Sequence, residues 1–347
     1  MLEVAFAVPG DLNTPTGGYA YARKLLERLP QEGLALRAVA LPAAYPHPTD
    51  ADLAETERLL SPLRPAAFLI DGLAYGAMPV GLLQKLTIPM VALVHHPLAF
   101  ESGLSPARQR ELFASEAAAL ALARKVIATS ATTARLLVSD FGVPRETIAT
   151  AEPGTEPARR ASGTGSPLAL LAVGALSPRK GYEILVAALK DLADLDWRLT
   201  IAGSLERAPE TVRALRAAVA EGGLGGRIHL VGAVSEDALD ELYERADVFV
   251  SASLFEGYGM VLAEALARGL PLVASTGGAA AETMPDGAGL KVRPGDVAAL
   301  REALRRMITD PALRRACADR SWAAGQALPR WSDTARAVAA TIREAAR

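Results

Sequence analysis

The chain has 347 residues, half of them hydrophobic, and its 37 Lys and Arg against 39 Asp and Glu leave a net charge of −2. That length exceeds a usual single core and predicts two domains, while the balanced charge excludes the basic footprint of a nucleic-acid binder. One cysteine, Cys317, excludes an intramolecular disulfide framework, and four histidines with no cluster at zinc-ligand spacing leave a reducing cytoplasm as the expected setting.

The first apolar run, Val4 to Val8, reads as a strand and opens the chain without a basic leader, so neither a signal peptide nor a membrane-spanning segment is expected. Peripheral contact with the inner face of a membrane stays open. The Ala-rich stretch Leu112 to Leu122 reads as a buried helix. Further strand-like runs follow at Leu34 to Leu41, Ala66 to Ile70, Met90 to Val94, Val126 to Thr129 and Thr147 to Ala149. Helical patterns separate most of them, which predicts α/β architecture with parallel sheets.

Asp11-Leu-Asn-Thr-Pro-Thr-Gly17-Gly18-Tyr19 joins the first strand to the first helix. Paired glycines permit close approach of the backbone to a phosphate or sugar, although a tight turn explains them equally and they are not the spaced dinucleotide fingerprint. The strand ending Val91-Ala-Leu-Val is followed by His95-His96-Pro97 at the same sheet edge. An imidazole there can donate to a sugar hydroxyl or satisfy the turn before the proline.

Glu152 to Pro167 is rich in Pro, Gly, Ser and Thr and reads as the linker. The expected organisation is a first domain over 1–155, a linker over 156–167, a second domain over 168–326 and a C-terminal helix over 327–347. The second domain restarts the pattern at Leu168 to Val173 and continues through Leu199 to Ala202, Ile228 to Leu230, Val248 to Val250, Leu272 to Ala274 and Leu290 to Val292. Its first strand leads into Val173-Gly174-Ala-Leu-Ser-Pro-Arg179-Lys180-Gly181, where two adjacent cations on a turn can neutralise a diphosphate as it gains charge. The turn lacks the second glycine before Lys180 and the hydroxyl residue after it that a phosphate-binding Walker loop needs. Gly203 and the turn Gly232 to Ser235, with Val234, follow later strands and belong to the edge where doubly wound sheets bind ligands. Asp194-Leu-Asp196 matches a metal-holding Asp-x-Asp by letters, but it precedes its strand and so stands at the opposite edge.

The most informative stretch is Ser251-Ala-Ser-Leu-Phe-Glu256-Gly257-Tyr258-Gly259-Met260-Val261-Leu-Ala-Glu264. Asp247-Val-Phe-Val precedes it as a buried strand, a helix is predicted over Gly259 to Arg268, and Gly269 stands where that helix ends. The first amides of that helix suit an anionic diphosphate. Carboxylates would repel phosphates, so Glu256 and Glu264, about two turns apart, are better acceptors for hydroxyls. A surface Glu on a loop and a solvated Glu on a helix are the plainer alternative for either alone.

Glu256-x7-Glu264 in this setting, followed by Gly277-Gly278, resembles the retaining glycosyltransferases of family 4, most specifically in the C-terminal half. The resemblance implies the GT-B fold, two Rossmann-like domains facing across a cleft, with the last helix, Trp331 to Ala346, crossing back to the first. It implies transfer of a hexosyl unit from a UDP- or GDP-type sugar to a hydroxyl acceptor, in glycan, glycolipid or cell-envelope synthesis, with retained anomeric configuration and neither metal nor cofactor. His95, Arg179, Lys180 and Glu256 would be the catalytic set. Gly17, Gly18, Gly203, Val234, Gly257, Tyr258, Gly259, Met260, Val261 and Glu264 would bind the donor, and Tyr19 and His96 the acceptor. A non-catalytic sugar-nucleotide binder, or another GT-B enzyme such as a phosphorylase or epimerase, remains the alternative.

Overall fold

The computed structural model describes residues 1–206 and 208–347. The chain forms two compact units, one of Met1–Gly154 with Pro329–Arg347 and the other of Thr155–Leu328.

In the first unit, β1 (Leu2–Pro9), β2 (Leu34–Leu41), β3 (Ala67–Asp71), β4 (Met90–Val94), β5 (Lys125–Ala128) and β6 (Ile148–Thr150) form one parallel sheet in the order β2-β1-β3-β4-β5-β6. Val4 lies opposite both Leu36 and Ala67. Every residue of β3 and of β4 is buried, which is why these strands read as continuous apolar runs. The helix Trp331–Ala345 belongs to this unit. It buries Trp331, Val338 and Ile342, sets Trp331 edge-on to Tyr21 at 5.5 Å, and donates from Thr334 Oγ1 to the Glu152 carbonyl at 2.6 Å.

In the second unit, β7 (Leu168–Val173), β8 (Trp197–Ala202), β9 (Ile228–Gly232), β10 (Val248–Ser251), β11 (Leu272–Ser275) and β12 (Gly289–Val292) form a second parallel sheet in the order β12-β11-β10-β7-β8-β9. Strand order reverses direction between β7 and β10, the switch point at which open α/β sheets leave a crevice beyond the strand ends. Trp197 opens β8 fully buried, its indole N–H bonded to the Leu192 carbonyl at 2.7 Å, so this strand starts two residues before the apolar run Leu199 to Ala202.

Further local features differ from the sequence expectation. Gly17 and Gly18 are the first residues of the helix Gly17–Arg28, capped by Thr16, and not part of the preceding loop. β3, β5 and β6 are each displaced by one residue from the expected runs. The segment 156–167 is held down on the second unit: Ala161 N donates to the Arg268 carbonyl at 2.8 Å, and Asp247 accepts from Thr164, Gly165 and Ala169. A turn-rich composition predicts absence of regular structure, and the structure satisfies these amides with one aspartate and with carbonyls at the ends of two helices. Among the described residues no helix is long and apolar enough to cross a membrane.

Candidate functional site

The chemistry-bearing residues of the second unit arise from its two switch-point strands. β7 leads through Gly174 to a short 3-10 turn, Pro178–Lys180, which carries Arg179 and Lys180. β10 leads to Ser253 and Glu256. The two loops are tied together through Leu254 N, which donates to the Arg179 carbonyl at 2.7 Å.

Lys180 Nζ stands 2.7 Å from Glu256 Oε1, and Arg179 Nη1 stands 3.2 Å from Oε2 and 2.7 Å from the Phe255 carbonyl. Glu256 is 6% exposed. Burial pushes its pKa up, but the charges of Lys180 and Arg179 and hydrogen bonds from Lys180 and Ser253 outweigh that and hold the carboxyl at about 2. Glu256 is therefore a fixed carboxylate at neutral pH. Its backbone is fixed too: Glu256 N donates to Gly277 O at 3.1 Å, and Ala279 N donates to Glu256 O at 2.8 Å. Gly277-Gly278 clamps the acidic loop, since a Cβ at Gly277 would lie 2.0 Å from the Leu254 carbonyl.

Gly259, with φ of 94°, caps the helix Met260–Ala267, and Met260 and Val261 occupy its first turn. Gly257 and Tyr258 form the turn before it, and Thr283 Oγ1 donates to the Tyr258 carbonyl at 2.5 Å. Glu264, on the same helix, accepts at Oε2 from the Tyr243 hydroxyl at 2.9 Å. Burial raises its pKa, opposed by that hydrogen bond and by Arg268.

Gly203 closes β8 against the neighbouring loop. A Cβ there would lie 1.9 Å from the Gly174 carbonyl, so close backbone packing accounts for the glycine. Val234 lies in the turn after β9, where Ser235 caps the next helix, and Val231, near the end of β9, is 43% exposed. Asp194 and Asp196 stand ahead of β8, Asp196 accepting from Ser166 Oγ at 3.0 Å. Among the described residues no group of three or more His, Cys, Asp or Glu is arranged to hold a metal ion.

A separate cluster forms at the strand ends of the first unit. His95 follows β4, and its Nε2 lies 3.5 Å from Asp71 Oδ2 at the end of β3. Gly18 faces the same ring, since a Cβ there would come within 3.5 Å of His95 Nε2, and Tyr21 meets it edge-on at 5.3 Å. The His95 carbonyl accepts from Thr129 and Thr133, which fixes the loop. The structure thus brings His95 and Gly18 together. His96 turns to Glu101, at 3.2 Å, and Tyr19 donates its hydroxyl to the Pro9 carbonyl at 2.6 Å.

Two residues of these clusters escape sequence reasoning. Asp71 carries a faint signal, a charge directly after the apolar run Ala67 to Ile70, and it is buried while capping Leu73 N. Tyr243 carries none, because it meets Glu264 from another helix.

Two Rossmann-like units, with an Arg–Lys–Glu cluster at the switch point of the second, define the two-domain α/β class. The family model for glycosyl transferases group 1 matches residues 154–322, and that for glycosyltransferase family 4 matches residues 57–159. Among relatives, glycogen synthase of Mycobacterium tuberculosis is 33% identical over 263 residues, covering 70% of this chain and 60% of that protein. The D-inositol 3-phosphate glycosyltransferase of Pseudarthrobacter chlorophenolicus is 32% identical over 274 residues, covering 72% of this chain and 63% of that one. The chain thus spans about 60% of the length of these relatives. Sucrose-phosphate synthase of Thermosynechococcus elongatus superposes with a TM-score of 0.83 at 23% identity, covering 96% of both chains. Anabaena Alr3699/HepE in complex with UDP-glucose superposes with a TM-score of 0.77 at 18% identity, covering 98% of both. The chain belongs to the group 1, family 4-like glycosyltransferases and has their two-domain GT-B fold.

Proposed function

We propose that this chain is a retaining glycosyltransferase that moves a hexosyl unit from a nucleoside-diphosphate sugar, of the UDP or GDP type, to an acceptor hydroxyl without help from a metal. The observation that carries this reading is the cluster of Lys180, Arg179 and Glu256 at the end of β7 and β10. Two cations and one carboxylate leave one net positive charge in a nearly buried place. Charge of that sign stabilises a diphosphate whose negative charge grows as the sugar C1–O bond breaks.

Glu256 has a different part. Each carboxylate oxygen has two lone pairs, and Lys180, Arg179 and Ser253 use only part of that capacity, so Glu256 retains room to accept from a sugar hydroxyl. Already bound to two cations and held ionised at about 2, it is a poor nucleophile. That favours same-face substitution, in which the departing phosphate oxygen takes the acceptor proton as the new C1–O bond forms. Glu264 is assigned to the ribose of the donor, with Gly257, Tyr258, Gly259, Met260 and Val261 lining the diphosphate turn and Gly203 and Val234 the nucleotide side. His95 is assigned to the transferred sugar and acceptor, Gly17 and Gly18 to the donor, and Tyr19 and His96 to the acceptor. The UDP-glucose bound to the Anabaena neighbour is in keeping with a nucleotide-sugar donor.

The test is a donor screen with UDP- and GDP-hexoses in the presence of a chelator, with product anomeric configuration assigned by NMR. Transfer with an α-donor giving an α-product supports the reading. An inverted product, or turnover abolished by the chelator, contradicts the retaining or metal-free part of it. Binding without transfer to any acceptor supports the non-catalytic alternative.

A further inference from the structure

Tyr243 lies on the helix Glu236–Arg245 and is completely buried. Its ring stacks on Phe249 of β10 with centroids 5.9 Å apart and an interplanar angle of 18°, and the Arg268 guanidinium covers it at 4.5 Å. Arg268 is itself fixed, donating to the Glu264 carbonyl at 3.1 Å and pairing with Asp240. Gripped in this way, the phenol has little freedom to swing, and its hydroxyl meets Glu264 Oε2 at 2.9 Å. Burial first, then the neighbouring Glu264, raise the Tyr243 pKa well above its ordinary value, so the hydroxyl remains a donor throughout the working pH range.

We infer that Tyr243 is a positioning residue for Glu264, holding one carboxylate oxygen so that the other, Oε1, is set to accept from a ribose hydroxyl of the donor nucleotide. The inference rests on the assignment of Glu264 to the ribose made above. A carboxylate on a free side chain would sample several rotamers, and each would weaken a directional contact. Tyr243 removes that freedom from behind, through a bond the ligand does not touch. The part of donor selectivity that depends on the ribose hydroxyl is therefore set by a residue of a different helix, 21 positions before Glu264 in the chain.

The test compares wild type, Tyr243→Phe and Glu264→Ala by calorimetry. The ligand is whichever of uridine, guanosine or adenosine diphosphate binds wild type most tightly, together with its 2′-deoxy and 3′-deoxy forms. Wild type is expected to lose about 10- to 100-fold in affinity when the recognised hydroxyl is removed, as for a hydrogen bond to a charged group. Glu264→Ala abolishes that difference. Tyr243→Phe, which keeps the ring and the packing, weakens the ribose form about five- to tenfold and leaves the matching deoxy form unchanged. Equal weakening of both forms, or of neither, overturns the positioning role. Full discrimination retained by Glu264→Ala overturns the ribose assignment and the inference with it. Loss in Glu264→Ala with an unaltered Tyr243→Phe overturns the inference alone. Thermal midpoints of the three proteins accompany the titrations, so that a folding defect is recognised as such.

Discussion

Lys180 Nζ and Glu256 Oε1 meet at 2.7 Å across 76 positions of sequence, at the one place in the second sheet where the strand order turns back on itself. The pair joins a loop after β7 to a loop after β10. Opposite charges on these loops explain how a nearly buried carboxylate stays ionised and how two cations stay aimed at one small volume.

The pair makes the protein sensitive to acid. Folding depresses the Glu256 pKa from 4.5 to about 2, so its stabilisation is fully present above about pH 4.5 and is lost as pH falls towards 2. The amount is about 3 kcal/mol, from roughly 1.4 kcal/mol per unit of pKa. Urea unfolding between pH 2.5 and 5 should show this slope in wild type and a shallower one in Glu256→Gln. Equal slopes would contradict it.

Glu116 predicts the opposite slope in another pH window. It is 1% exposed on the helix Pro106–Leu120 and accepts one hydrogen bond, from Leu98 N at 2.7 Å. Burial raises its pKa to about 8, only partly opposed by that bond. Because the folded pKa lies above the unfolded one, this group favours the fold fully below about 4.5, and the advantage is lost as pH rises to about 8. The loss is roughly 3 to 5 kcal/mol. Glu116→Gln keeps an acceptor for Leu98 N and should flatten the decline. Denaturation at pH 5, 6.5 and 8 measures it, and an unchanged decline would rule Glu116 out as its source.

Asp71 and His95 yield a test that separates capping from chemistry. Asp71→Asn preserves a side-chain acceptor for Leu73 N but removes the charge 3.5 Å from His95 Nε2. Stability should change by less than about 0.5 kcal/mol while kcat falls about tenfold, the effect of one charge-assisted contact of about 1.4 kcal/mol. A thermal midpoint that collapses together with activity would make Asp71 a purely structural cap.

The return of the last helix to the first unit is also testable. Trp331 is 5% exposed against Tyr21, and a Cβ at Gly154 would come 2.1 Å from Trp331 N. Trp331→Ala should cost about 3 to 5 kcal/mol. Gly154→Ala should cost about 1 to 3 kcal/mol or more by overpacking. Chemical denaturation of both variants checks this, and near-wild-type stability of either would contradict the packing described.

Parallel sheets buried on both faces made most of the fold legible, because runs such as Met90 to Val94 stand out as uninterrupted apolar stretches. The loops carrying Arg179, Lys180, Glu256 and His95 could be found because each directly follows such a run. What stayed hidden depends on contacts distant in sequence. Asp247 was visible only as part of a strand motif, yet it secures Thr164 and Gly165, which composition had marked as linker. Tyr243 reads as an ordinary helix-face aromatic until the fold sets it against Glu264. Asp71 stands out in the sequence only as a charge after an apolar run; its capping of Leu73 N and its approach to His95 arise from the fold, the latter from the adjacency of β3 and β4. Gly17 and Gly18 were visible as a pair, but whether they end a loop or begin a helix depended on the Thr16 cap.

The central claim is that Lys180 and Glu256 form the charged heart of a donor site. Steady-state turnover of the nucleoside-diphosphate hexose that wild type uses best, measured beside Lys180→Ala at equal folded concentration, tests it most directly. The account predicts a fall in kcat of about 100-fold or more, the usual effect of removing a group that stabilises charge developing in a transition state. Turnover within about threefold of wild type, less than about 0.7 kcal/mol in barrier, would contradict it.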